Sequence, residues 1–299
     1  MQNRSRVLFW HEVLSTKIWW MEHTAFQSYK NIVADDVLAK RWPDENPIKS
    51  FYQETISVNY TDEYTLEERK GEVNIMYIDG PITRNDAACS FGSIRFKERF
   101  IDASKSGVLA HVIVINSPGG SARAIYDYKD AIEFAREKGQ PVIAFIKGMG
   151  CSAAYAAAMM CDEIACYSEH DDVGSIGAMG ALRIVKPGAV NSITQETIVE
   201  VYADVSPLKN NISRAAEQDD LQPLKDLVNK SGEDFVRMVE VYRPNSLPEQ
   251  RTGDVYLAKD VIGTLVDKIS DLDSCIADAV EMAQNNLRIQ RQNNTFTQK

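Results

Sequence analysis

The chain is 299 residues long, with 33 Lys+Arg against 43 Asp+Glu and a formal net charge of −10. At 44% hydrophobic and 25% charged residues it has a globular composition, with length for one large or two smaller domains that bury a core. The acidic balance and the lack of a Lys/Arg cluster argue against nucleic acid as a partner, because phosphate contact is what basic patches supply.

No segment reads as a membrane span or anchor, which needs about 20 mostly apolar residues. The run Gly148 to Cys161 is uncharged over 14 residues but is mostly Gly, Ala and Ser. In MQNRSRVLFWHEVL, His11 and Glu12 interrupt the apolar patch, so no secretory leader is expected. The cysteines Cys89, Cys151, Cys161, Cys166 and Cys275 are odd in number and form no CxxC pair. They read as reduced thiols of a cytoplasmic protein, with neither a disulfide framework nor a metal site.

In chain order, residues 1–70 read as a helical N-terminal extension and linker. Trp10, Leu14, Ile18 and Met21 recur at helical spacing, which predicts a helix over roughly 7–40, ended by Pro43 and Pro47. Trp19 and Trp20 on it would pack on the main body or form a subunit contact. The polar stretch TDEYTLEERKGE (61–72) reads as a linker. From Val73 strands alternate with helices. VNIMYIDGPI, HVIVIN (111–116), PVIAFIK (141–147) and EIACY (163–167) are apolar strands. Ile125, Tyr128, Ile132 and Ala135 share one helix face, and a small-residue helix starts at Ser152. This alternation predicts an α/β fold with a parallel sheet and right-handed crossovers over 71–285. Leu224, Leu227, Val228, Phe235, Met238 and Tyr242 line one long helix, and Leu272, Ile276, Ala279, Val280 and Ala283 another. The amide-rich tail, 286–299, is expected to fray.

Three segments carry possible chemistry. Ser117-Pro118-Gly119-Gly120 follows a buried strand, and paired glycines can aim backbone N–H groups at an oxyanion, or simply make a turn. Gly148-Met149-Gly150-Cys151-Ser152 is a tight turn into a helix. It puts Ser152 at free N–H groups and the positive end of the helix dipole, as nucleophile or as a plain N-cap, with Cys151 as rival nucleophile. Asp172 to Gly180 is rich in small residues, the mark of a backbone closely approached by another element. A nucleophilic serine needs a base. His11 and His23 lie in the atypical N-terminal part, His111 begins a buried strand, and His170 lies in a polar turn. A lysine can serve if apolar surroundings lower its pKa from about 10.4. Lys209, in VSPLKNN beyond the Gly-rich segment, fits that requirement.

Taken together, SPGG (117–120), CSAAY (151–155), GSIG (174–177), SPLKN (206–210), FVRMVEVYRP and GDVYLAKDVIGTLVDKI (253–269) stand in the order of landmarks found in the signal peptide peptidase A (protease IV) family. The resemblance covers about 73–283. It implies a Ser–Lys serine endopeptidase on the ClpP/crotonase fold, forming an acyl-enzyme on a protein or peptide substrate. Ser152 would be the nucleophile, Lys209 the general base and Ser175 the residue that orients the lysine. Gly119 or Gly120, with the N–H of Ala153, would form the oxyanion hole. No metal or organic cofactor is implied. Two positions depart from the pattern: Ala153-Ala154 replaces Gly-Gly, and Asn210 stands where Asp is usual. The single catalytic unit resembles phage- or prophage-encoded members that process capsid or scaffold proteins, which places it in host cytoplasm or prohead. Double-length relatives put serine and lysine in different repeats, so a ring-like homo-oligomer sharing its sites is expected. The alternatives are a ClpP-type triad of Ser152, His170 and Asp171, a crotonase-fold acyl-thioester enzyme, and an inactive assembly homologue.

Overall fold

The computed structural model describes residues 16–22, 25–26, 53–62, 65–86, 91–182 and 201–297. Its strands are β1 (Ile18–Met21), β2 (Gln53–Thr61), β3 (Glu68–Asp79), β4 (Ala110–Ser117), β5 (Gly119–Ser121), β6 (Val142–Cys151), β7 (Glu163–Cys166), β8 (Asp172–Gly174), β9 (Met179–Gly180), β10 (Val255–Leu257) and β11 (Lys268–Ile269). The helices are α1 (Ser93–Ser106), α2 (Ile125–Glu137), α3 (Ala153–Ala158), α4 (Asn211–Glu217), α5 (Gln222–Tyr242) and α6 (Leu272–Thr297). None of these helices is long and apolar enough to cross a membrane.

The core of the main sheet is the parallel set β3-β4-β6, with Ile75 opposite Val112 and Val112 opposite Ile143. Its strands are apolar on both faces because both are covered. Met76, Ile78, Ile113, Ile115, Ala144 and Ile146 pack with Phe96 and Phe100 of α1 and Tyr128 and Ile132 of α2. Ile75, Val112, Val114, Ile143 and Phe145 pack with Cys275, Ile276, Ala279 and Val280 of α6. This is the strand–helix α/β architecture the sequence predicts. The long β6 is shared: its first half pairs with β7 and its last three residues, Met149, Gly150 and Cys151, pair with β8. That fork separates the two neighbours and leaves the end of β6 as the point from which α3 departs. A second sheet of three short strands, in the order β5-β1-β9, lies over this region.

Three expectations are corrected. The helix expected over 7–40 is not helical at 18–21, where the chain is β1; most of the rest of that span lies outside the described residues. Four consecutive apolar residues fit a short buried strand as well as a helix. Here alternation decides: Trp20 joins the main core, while Trp19 and Met21 pack with Phe26 in a separate cluster. The expected linker 61–72 is the end of β2 and the start of β3, a hairpin whose Thr61 faces Glu68. Its polar sequence is that of an antiparallel edge with solvent on one side. The expected fraying tail is helical to Thr297. Asn286 Nδ2 donates to the Gly139 carbonyl at 3.1 Å, and both Arg291 guanidinium NH groups donate to Asp62 at 3.1 Å. These tethers extend a helix already nucleated by its buried Ile276–Ala283 stripe. The α1 helix, not expected from the pattern, fills the β3-to-β4 crossover.

Candidate active site

The turn after β6 is built by parallel register. Cys151 is opposite Gly174 of β8, and the Ser152 N–H donates to the Gly174 carbonyl at 2.7 Å. Ser152 then takes φ 55° and ψ −118°, a region that side chains avoid. Such a residue costs on the order of 1–3 kcal/mol and persists only where its surroundings over-determine it. It is 1% exposed, its side chain makes no capping bond to α3, and its hydroxyl has no hydrogen-bond partner among the described residues. The simple N-cap reading therefore does not account for it. Behind it, α3 is wholly buried, and Tyr155 Oη anchors it to the Leu265 carbonyl at 3.0 Å. Ser175, next after Gly174, also has positive φ, 50°, and its N–H donates to the Asp254 carbonyl at 2.7 Å. The small residues around it are closely approached, as expected. A side chain on Gly174 would meet the Asp254 carbonyl at 3.0 Å, and one on Gly180 would meet Val228 at 2.6 Å.

The glycine pair sits beside this turn. Gly119 has φ 96°, and a Cβ there would lie 2.2 Å from the Trp20 carbonyl oxygen and 2.8 Å from both the Ala153 nitrogen and the Cys151 oxygen. Only glycine fits, and the Ala153 nitrogen lies close beside the glycine loop. The Gly119 carbonyl accepts from Ile82 N–H at 2.8 Å, and Ser121 N–H donates to the Ile82 carbonyl at 2.8 Å. Gly119 N–H is engaged by Ser117 Oγ at 3.2 Å. Strand alternation then turns the N–H of Gly120 the other way, toward β1. Of the two glycines left open by the sequence, Gly120 is the one with its donor directed away from the Ile82 segment.

Lys209 is not brought to this point. It is exposed in the turn before α4, its N–H donates to the Ser206 carbonyl at 3.0 Å, and no hydrogen bond joins it to Ser152 or Ser175 among the described residues. The apolar neighbours that were expected to bury it, Val205 and Leu208, are themselves 91% and 75% exposed. Asn210 has φ 55°, a conformation Asn tolerates well, and its Nδ2 donates to Tyr202 Oη at 3.2 Å.

The rivals lose on chemistry. Cys151 is fully buried, which pushes its thiol well above the ordinary range, and its Sγ faces the Asp172 carbonyl at 3.7 Å. His170 is exposed. Asp171 is buried, but its two oxygens accept from Gly148 N–H at 2.9 Å and Ser168 N–H at 2.8 Å, so it braces the turn and does not orient a histidine. His111 is structural: burial lowers its pKa to about 4, Nδ1 accepts from Asn74 at 3.0 Å, and Nε2 lies 2.9 Å from Ser104 Oγ. His11 and His23 lie outside the described residues. Ser117, Ile82 and Trp20, which shape the site, are not marked as site residues by the sequence, and Asp171 enters there only as a member of the alternative triad. Only the position of Ser117 beside the glycines hinted at a role.

An α/β sheet that delivers a strained serine to a strand-to-helix turn, beside a tightly packed glycine loop, is laid out like a strand–turn–helix nucleophile turn. The chain belongs to peptidase family S49, whose profile matches residues 134–286. Protease 4 of Salmonella typhi is 29% identical over 182 residues, 59% of this chain and 29% of that protein. A Methanocaldococcus jannaschii protein, named provisionally as a protease, is 28% identical over 192 residues, 61% of this chain and 58% of that protein. The matched region thus spans well under two thirds of either relative. Among solved structures, a mutant of the 1510-N membrane-bound stomatin-specific protease in complex with a substrate peptide matches at 14% identity. That match covers 68% of this chain and 77% of that one, with a TM-score of 0.40.

Proposed function

We propose that the chain is a serine endopeptidase in which Ser152 attacks the peptide carbonyl and Lys209 is the general base. The observation that carries this reading is the backbone of Ser152, strained, buried and pinned to Gly174, with Ala153 N–H and the glycine loop beside it. Neutral Lys209 takes the Ser152 proton as Oγ attacks. Gly120 and Ala153 N–H groups hold the oxyanion, and the protonated lysine gives its proton to the leaving amine. Water, activated by the same lysine, then releases the acyl group from Ser152. Ser175, immediately beyond the residue that holds Ser152, orients the amine.

Within one chain Lys209 is exposed and unpaired with Ser152 among the described residues, which supports a base supplied between subunits of a closed ring. In such a contact Val205 and Leu208 would be covered together with the lysine, and desolvation favours the neutral amine that a base requires. On the resemblance to phage- and prophage-encoded members, the substrate class is a capsid or scaffold protein. The test is labelling by a serine-reactive fluorophosphonate probe together with peptide hydrolysis. Both are expected in the parent and absent in Ser152→Ala. Labelling that survives Ser152→Ala would move the nucleophile elsewhere.

A further inference from the structure

The three-stranded sheet has an unusual middle member. β1 lies antiparallel between β5, the glycine-loop strand, and β9, which follows the GSIG segment. Trp20 is opposite Gly120, Met21 opposite Gly119 and Trp19 opposite Ser121. Glu22 N–H donates to the Pro118 carbonyl at 2.8 Å, so 22/118 is a hydrogen-bonded pair. Alternation makes Trp20/Gly120 the next one. The Trp20 carbonyl therefore faces the Gly120 N–H. It also lies 2.2 Å from the point where a Gly119 Cβ would stand, with Ala153 N 2.8 Å from the same point. A carbonyl of the chain itself thus faces one of the two proposed oxyanion donors, Gly120 N–H, and lies close to the glycine loop beside the other, Ala153. The Trp20 side chain is seated as well. Its ring stacks on Phe235 of α5 with centroids 4.1 Å apart and planes 11° apart, and its Nε1–H donates to Ser231 Oγ at 3.0 Å. Opposite Trp19, the Ser121 hydroxyl is buried with no hydrogen-bond partner among the described residues, so the seat is not fully matched to β1.

Resting on the serine-peptidase reading above, we propose that the channel between β5 and β9 is a seat for an extended peptide strand with a large aromatic residue, preferably tryptophan, opposite Gly120. Residues 18–21 fill this seat in cis, and a substrate must displace them. Phe235 and Ser231 are the specificity-determining pair, the first by stacking and the second by accepting the indole N–H. The seat is closed while β1 occupies it, which accounts for the near-complete burial of Ser152.

The test locks β1 in place. Trp19 and Ser121 face one another in a non-hydrogen-bonded pair, where Cα atoms lie about 4.5 Å apart, within disulfide range. In a full chain carrying Cys89→Ser, Trp19→Cys and Ser121→Cys, fluorophosphonate labelling and binding of a fluorescent peptide TKIWWMEHT (residues 16–24) are measured oxidised and reduced. The peptide is offered up to millimolar concentration, the range of an in-cis competitor. The reduced chain is expected to label and to bind the peptide. The oxidised chain is expected to lose both at least ten-fold and to regain them with dithiothreitol. A peptide with its second tryptophan changed to alanine should bind at least ten-fold more weakly. Equal binding and labelling in both states, or no peptide binding in either, overturns the proposal. Peptide binding that follows the lock with no labelling in either state upholds the seat and removes the Ser152 reading instead. Phe235→Leu and Ser231→Ala, assayed for preference between the two peptides, test the pocket independently of the cross-link.

Discussion

The amide of Ser152 donates to the carbonyl of Gly174 at 2.7 Å, and the residues at and just beyond that bond, Ser152 and Ser175, both have positive φ. Two parallel strands, β6 and β8, thus end together and present two serines from adjacent turns. The strain at Ser152 gives a measurable expectation. Ser152→Gly should be more stable than Ser152→Ala by about 1 kcal/mol, because glycine adopts positive φ without penalty. Both should lack hydrolysis and probe labelling. Denaturant melts of the two variants check this, and a more stable alanine variant would mean the strain is not there.

Lys209 and His170 should part company in mutagenesis. Lys209→Ala and Lys209→Arg are expected to be inactive, arginine because it stays protonated, whereas His170→Ala should be within two-fold or so of the parent, as an exposed side chain outside the site. If the base comes from a neighbour, mixing Ser152→Ala with Lys209→Ala under subunit exchange restores a fraction of activity. A fully active monomer by light scattering and assay, or no rescue despite proven exchange, would leave the dyad within one chain.

Gly119 and Gly177 make a paired test of local space. Gly119→Ala would put a Cβ 2.2 Å from the Trp20 oxygen and 2.8 Å from the Ala153 nitrogen at φ 96°. It should cost roughly 3 kcal/mol through strain and overpacking. Because the loop then moves off the donor position, turnover should fall about 100-fold or more. At Gly177 the nearest atom to a new Cβ among the described residues is Gly253 Cα at 3.8 Å, an ordinary contact, so Gly177→Ala should change stability by no more than about 0.5 kcal/mol. Calorimetry and kcat/KM of the two variants separate these outcomes.

His111 sets an acid limb of stability. Its pKa in the folded chain is about 4, lowered by burial, against an ordinary value of 6.5. As pH falls from 6.5 toward 4 the unfolded chain takes up the proton first, so stability is lost across that window and is fully present above it. The loss from this one group is roughly 3 kcal/mol. His111→Gln should flatten the fall in urea midpoint between pH 7 and pH 4. An unchanged slope would show that the ring does not titrate differently on unfolding.

The parallel sheet was legible because HVIVIN and PVIAFIK are apolar on both faces, and such runs have few alternatives to a buried strand. The candidate serine was legible for a similar local reason: small residues on both sides of Ser152 announce a tight turn into a helix. What the sequence by itself determined is therefore what depends on neighbours within a few positions: strands β3, β4, β6 and β7, helices α2, α3, α5 and the first half of α6, and the turn that carries Ser152. Tertiary structure decided the rest. IWWM becomes a strand because β5 and β9, about 100 and 160 positions away, offer edges to pair with. The polar 61–72 stretch joins a hairpin because β2 and β3 pair, and the amide-rich tail stays helical with Arg291 tied to Asp62 across 229 positions. Asp171 is a brace and His111 a core residue because of partners no local pattern encodes. Strand pairing and long-range hydrogen bonds depend on which edges remain free once the sheet has formed, and that is a property of the assembled chain.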